Sequence, residues 1–242
     1  LVQHWADISD EWLQIVEKAI AICENNGFEV ELARLHLNMH GFLLMRGDLE
    51  RAKEHFQKAD VIIQKYQNPR MLGFHLIVKA EFAKAQGDLE TALELYKQAA
   101  DAYSAINDQR ILLIVKSAIA HIFRRSGNIE EAIPYYQDTI VKWQEQGNPI
   151  AIAHQLECFA FIGIAFGKFE QAAQLLGRAK ASRIELNAIS KDPQEMADLN
   201  HAMTQIAESI GIQERDNWIN EGTKIKIDDA VNLALSSEVL LT

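Results

Sequence analysis

Apolar or small residues fall at Leu49, Ala52, Phe56, Ala59, Ile62 and Ile63, with mostly polar residues between them. That spacing describes one face of a helix. Gly47 marks the end of the helix before it, because glycine takes the left-handed conformation of a helix C-terminus. Asp48 is placed to cap the next helix, and Glu50 adds negative charge to its first turn. "QNP" at 67–69 closes the stretch, since proline disfavours helix in the residue before it. A second helical stretch, "RMLGFHLIVKAEFAKAQ" at 70–86, runs to the next glycine. The pattern predicts helix, tight turn, helix, short loop.

The pattern recurs. "GDLERAKEHFQKA" begins at Gly47, "GDLETALELYKQA" at Gly87, "GNIEEAIPYYQDT" at Gly127 and "GKFEQAAQLLGRA" at Gly167, a fixed period of 40. "NDQ" at 107–109 and "GNP" at 147–149 stop the chain in the same phase as "QNP". Ala52, Ala92, Ala132 and Ala172 share one column, and Ala59, Ala99, Thr139 and Ala179 another. Phe56, Tyr96, Tyr136 and Leu176 lie between them, and Ala80, Ala120 and Ala160 form a column on the first helix of each pair. Small residues let helix axes approach, and the large one fills the neighbouring groove. One pair cannot bury its own apolar face, so the pairs must stack. His40 stands where the first unit should have its small residue, and Pro134 predicts a bend or a late start in its helix.

After Arg183 the period ends. Helices are expected at about 194–210, 214–221 and 228–236, the last capped by Asp228. Met196, Leu199, Met203, Ile206 and Ile210 make the first of them a cover for the last repeat.

The columns resemble the tetratricopeptide repeat (TPR): a small residue in the first helix, then "G-[D/N]-x-E-x-A-x-x-x-[F/Y]-x-x-A" across the second. The resemblance implies an all-α, right-handed α-solenoid of TPR-like helix pairs with a 40-residue period and a C-terminal helical cap. Repeats would fill residues 1–187, with a half unit at 9–26 and units at 29–67, 69–107, 109–147 and 149–187, and the cap 188–242. The tail, from "AAQLLGRAKASR" through "WINEGTKIKIDDAVNLAL", resembles the C-terminus of large bacterial signalling ATPases and transcriptional regulators (LuxR- or SARP-type, MalT-like). That implies a sensor or interaction arm attached to an upstream nucleotide-binding domain, which the start at Leu1, inside helical pattern, also suggests.

Composition narrows the partners. A net charge of −10 disfavours direct nucleic-acid binding, and no apolar run is long enough for a membrane span. Two cysteines, Cys23 and Cys158, read as reduced thiols in a cytoplasmic protein. No cofactor motif is present, so any ATP site lies outside this segment. His36 with His40, and His154 with Cys158, stand four apart and offer two metal ligands each, but zinc takes three or four and nothing nearby along the chain completes either set. No metal is expected. Glu130 and Glu131 read as first-turn charges, not as a catalytic pair. Arg124 and Arg125 in "FRRSG" read as dipole complements or as contacts to an acidic peptide.

In a tetratricopeptide stack the first helices line the concave face. The register places Arg34, Leu37 and Asn38 there, then Phe74, Ile77, Glu81 and Lys84, then Ser117, His121 and Arg124, then His154, Glu157 and Phe161. The mixture suits a peptide, a protein or a small-molecule effector. The expected function is binding that biases a switch in other domains. The alternatives are a stand-alone scaffold or adaptor and, with no motif behind it, an enzyme using His154 or His121.

Overall fold

The structure is a computed structural model that describes residues 10–66, 68–190 and 193–236. Ser9 of the expected half unit, Gln67 of the "QNP" stop and 237–242 of the expected cap lie outside them. Twelve α-helices and no strand occur among the described residues. They are α1 (Asp10–Asn26), α2 (Glu29–Met45), α3 (Leu49–Tyr66), α4 (Pro69–Ala85), α5 (Leu89–Ala105) and α6 (Gln109–Arg125), then α7 (Ile129–Glu145), α8 (Pro149–Ala165), α9 (Phe169–Glu185), α10 (Pro193–Ile210), α11 (Ile212–Lys224) and α12 (Ile227–Leu235). The fold is all-α, a tandem array of TPR-like helix pairs of the solenoid class. None of these helices is long and apolar enough to cross a membrane.

The turns explain why the helices stop where they do. Gly47 has φ of 77°. Its N–H donates to the Leu44 carbonyl at 3.0 Å, and the Asp48 N–H donates to the Leu43 carbonyl at 2.9 Å. This pairing, the Schellman motif, satisfies carbonyls that a helix end leaves open. The same two bonds recur around Gly87, Asn107, Gly127, Gly147, Gly167 and Asn187. The asparagines take the left-handed conformation too, at 56° and 49°. The backbone therefore repeats every twenty residues. The expected contrast between a tight turn and a short loop does not exist; only the side-chain pattern has a period of 40. The residue after each turn often caps the next helix. Asn68 accepts from the Arg70 and Met71 N–H groups, Asp88 from Thr91 and Asn148 from Ala151.

Every residue of the three alanine columns is fully buried, Thr139 included. Tyr96, Tyr136 and Leu176, between the columns, are buried as well, and Phe56 is half-buried. His40, in place of a small residue, is accommodated: its ring packs against Phe56 at 4.9 Å, and Nδ1 donates to the Ala52 carbonyl at 2.9 Å. Pro134 lies inside α7, which neither starts late nor stops.

Contacts divide the chain into two units, 1–119 and 120–242, the division falling within α6. In unit 1, one core cluster gathers Val16, Ile20, Met39, Phe42 and Leu43, and another gathers Ala33, Leu37, Ala59, Ile63 and Met71. Leu37 is thus core, not groove lining. In unit 2, α9 packs against α8 on one side and α11 on the other. A Cβ on Gly177 would lie 2.1 Å from the Ile219 carbonyl oxygen, and one on Gly222 would lie 2.1 Å from that of Gln174. The α9 and α11 backbones touch there. The tail departs from expectation in three ways. The helix with the broadest contact on the last repeat is α11, longer than expected. Met196 of α10 is 48% exposed, whereas Ile206 is buried. Asp228 sits in the first turn of α12 behind Lys226, which is the cap position, and instead accepts from the Gln144 side chain at 2.7 Å.

Candidate functional site on the first-helix row

Within unit 1, the expected row is mixed. Arg34 is exposed, and Asn38, Phe74, Ile77, Glu81 and Lys84 are half-buried. Phe74 packs against the core cluster around Leu37, so its ring also holds the unit together. Glu81 pairs with Lys84 and accepts a hydrogen bond from the Tyr96 hydroxyl. Ser117 is buried.

A repeated logic connects this row to the second helices. Glu81 and His121 occupy the same column of the 40-residue pattern, as do Tyr96 and Tyr136. In each pair the tyrosine hydroxyl meets the row residue; His121 Nδ1 lies 2.7 Å from the Tyr136 hydroxyl. In the first and last units the tyrosine column holds Phe56 and Leu176, and the facing residues are Gly41 and Phe161. Where the hydroxyl is gone, so is its polar partner. Buried hydroxyls need partners, and the sequence supplies or removes both together.

Within unit 2, the row is a polar network. His154 Nε2 lies 3.1 Å from His121 Nε2. His154 Nδ1 lies 3.4 Å from a Glu157 carboxylate oxygen. Arg183 of α9 holds Glu157 in a two-pronged bond at 2.6 and 2.7 Å, and the pair is buried. Burial alone would raise the Glu157 carboxyl; its contacts with His154 and Arg183 outweigh that and hold it below the usual range. Glu157 is therefore spent on the fold and unavailable to a partner. Arg124 lies over the Phe161 ring at 4.7 Å and donates to Asp198 of α10 at 2.9 Å, while Arg125 reaches the same carboxylate at 3.2 Å. Both arginines are thus engaged by a carboxylate of the chain's own helix. Burial opposes charge on Asp198, but Gln194, Arg124 and Arg125 keep its carboxyl below the usual range.

Beside Arg124 and Phe161 lies a cleft of about 160 Å³, closed on its other side by Asp198, His201 and Gln205 of α10. A larger hollow of about 380 Å³ lies in unit 1 near Cys23, Val61 and Lys65, away from any cluster of unusual side chains; the smaller cleft, where the ionic network converges, is the better candidate.

Nothing nearby along the chain completes either candidate pair, but in space a third residue joins one of them. His121, on α6, joins His154 and Cys158 of α8, and one ligand atom from each lies within 4.8 Å of the others. The thirty-three residues separating His121 from His154 hid this from any spacing rule. His36 and His40 do not converge: His36 meets His55 at 2.9 Å, and His40 meets the Ala52 carbonyl.

Comparison with known proteins agrees with the fold. No curated protein matches the chain. Among solved structures, the crystal structure of BtubC (BKLC) from P. vanneervenii is similar in fold, with a TM-score of 0.63 at 17% identity over 90% of this chain and 88% of that one. The family model for the MalT-like TPR region matches residues 10–207, which takes in α1 to α9 and most of α10. The chain belongs to the family of MalT-like TPR regions.

Proposed function

We propose that this chain is the sensor and interaction arm of a larger bacterial signalling ATPase or transcriptional regulator, in which binding on the first-helix row biases a switch in a nucleotide-binding domain. The family match over 10–207 is the observation that carries this reading. Helical-repeat regions of this type serve protein interaction through the surfaces their stacked pairs present. The row residues are Arg34, Asn38, Phe74, Glu81 and Lys84 in unit 1, and His121, Arg124, His154 and Phe161 in unit 2. In unit 2 the row already accepts a helix that brings a carboxylate, Asp198, to Arg124 and Arg125. A partner of the same chemistry, an acidic peptide or helix, competes for those guanidinium groups.

The role is binding, not catalysis. The Cys158 thiol is fully buried and burial pushes it up to about 12, the reverse of an activated nucleophile. Cys23 and Cys158 are free and buried, which fits a cytoplasmic setting.

The test uses the full-length protein and measures effector-dependent ATP hydrolysis. Phe161→Ala with Arg124→Gln should remove the response and leave basal hydrolysis intact. Lys53→Ala, Glu94→Ala and Gln137→Ala, on second helices, should leave the response unchanged. A response lost in the second set and kept in the first moves binding to the other face. A full-length product with no nucleotide-binding domain defeats the signalling reading and leaves a scaffold or adaptor.

A further inference from the structure

We propose that His121, His154 and Cys158 form a binding site for one thiophilic d10 cation, Zn²⁺ in the first place. Two imidazole nitrogens and a thiolate are a donor set that zinc takes readily, and three protein ligands with a fourth position open characterise sites that exchange a ligand. The ligand atoms come from two helices of one unit, α6 and α8, and stand within 4.8 Å of one another.

The geometry is close to what coordination needs. With Zn–N near ~2.0–2.1 Å and Zn–S near ~2.3 Å, tetrahedral ligand pairs stand roughly 3.3–3.6 Å apart. One nitrogen of His121 serves the ion, and with Nδ1 beside the Tyr136 hydroxyl that nitrogen is Nε2, 3.1 Å from His154 Nε2. Cys158 Sγ stands on the Nδ1 side of the ring, 3.8 Å from that atom, within a set of ligand atoms no more than 4.8 Å apart. Closing the set therefore requires the His121 ring and the Cys158 thiol to turn toward each other.

The surroundings also fit. A metal-bound histidine commonly donates its other ring N–H to a carboxylate, which fixes the tautomer and the ring plane. His154 Nδ1 lies 3.4 Å from a Glu157 carboxylate oxygen and 3.4 Å from an Arg183 guanidinium nitrogen, and Arg183 in turn fixes Glu157; a metal on Nε2 selects the tautomer whose Nδ1–H donates to Glu157. His121 has Tyr136 beside it at 2.7 Å. Two guanidinium groups stand near the site, and each is paired with a carboxylate: Arg183 with Glu157, and Arg124 with Asp198. Glu195 adds a further carboxylate 3.7 Å from Arg183. The cation would therefore not meet an unbalanced positive field. The His154 side chain is 27% exposed and gives the ion a way in, while Cys158 is enclosed. On binding, the cation takes the place of the thiol proton, which passes to solvent.

Placed between α6 and α8, such an ion ties together two helices in the part of the row that the proposed function uses. The inference does not depend on that function.

The experiment is a titration of the whole chain with Co²⁺, followed by displacement with Zn²⁺. The expected result is one Co²⁺ per chain, with visible bands of tetrahedral intensity and a sulfur-to-cobalt charge-transfer band in the near ultraviolet. Cys158→Ser should remove the charge-transfer band, and Cys23→Ser should leave it. His154→Gln should weaken binding at least ~100-fold, beyond the loss of an outer-shell partner. Because His154 is partly exposed, that variant keeps the fold, and it decides the matter if the buried Cys158→Ser chain does not fold; far-ultraviolet circular dichroism checks each. Absence of a charge-transfer band in the parent chain, a band that survives Cys158→Ser in a folded chain, or affinity unchanged in His154→Gln overturns the proposal.

Discussion

Unit 1 buries histidines and keeps them neutral; unit 2 keeps its charges and pairs them. In unit 1, burial pulls His36 and His75 down to about 4, with Lys58 and Lys79 adding to the effect. His40 is lowered as well, also by burial. His36 meets His55 and His40 meets a carbonyl, partners that suit uncharged rings. His75 stacks on Phe56 and has Asp60 at 3.0 Å from Nε2; that carboxylate pulls toward the charged ring and is outweighed by burial. In unit 2, Arg183 and Glu157 are both buried and held as an ion pair, and Arg124 and Arg125 share Asp198. The same alanine columns and the same turns underlie both. Fixing the backbone by small residues leaves the row residues free to carry different chemistry. That is how one repeat yields a proton-averse interior in one unit and a charged, ion-paired row in the other.

The comparison can be broken at several points. The largest effect is expected from Gly222→Ala or Gly177→Ala, since the new Cβ meets backbone at 2.1 Å and α9 and α11 must part. Either should cost roughly 3 kcal/mol or more in chemical denaturation of unit 2. Gly73→Ala in unit 1 is the contrast: its Cβ meets the Tyr103 ring at 2.7 Å, a side chain that can swing, so the cost should be about 1–2 kcal/mol. Arg183→Met strands the buried Glu157 charge, and a loss of about 3 kcal/mol is expected, recovered in part by Glu157→Gln in the same chain. Tyr136→Phe leaves His121 without its hydroxyl neighbour and should cost about 1–2 kcal/mol. The smallest effect is expected from Asp198→Asn. Its pairs are partly solvated, so the loss is about 1 kcal/mol or less and shrinks with added salt. Hydrogen exchange over 193–210 should nonetheless quicken, because α10 loses its ionic hold on the row.

Much of the fold was legible in the sequence. The columns through Ala52, Ala59 and Ala80 named residues that prove fully buried, and the glycines named the turns. The twenty-residue backbone repeat was written less plainly, because glycine at 87, 127, 147 and 167 gives way to asparagine at 107 and 187, two residue types with one conformational role. The tail was legible as helices but not as packing. Gly177 and Gly222, each inside a helix, were the signal for a close crossing; that they face each other is a tertiary fact. The row was legible by register, yet register cannot tell a residue that awaits a partner from one already engaged. Asp198 is 74 positions from Arg124, and Glu157 meets Arg183 across 26. The third ligand of the His154–Cys158 pair was hidden for the same reason.

Acidification tests the contrast between the units most directly. A histidine held neutral in the fold but protonated when unfolded gives the unfolded chain the greater proton uptake. Stability from His36 and His75 is then full above the unfolded value near ~6.5 and falls as the pH drops toward about 4. The steepest slope is about 1.4 kcal/mol per pH unit for each histidine. Glu157 and Asp198 are held below their ordinary range, so their stabilisation persists through that window and is lost only below ~4. Hydrogen exchange corrected for intrinsic rates and followed from pH 7 to 4 should therefore show α2–α4 losing protection while α8 and α9 keep theirs. Loss in α8 and α9 first, or no loss in α2–α4, would contradict the account.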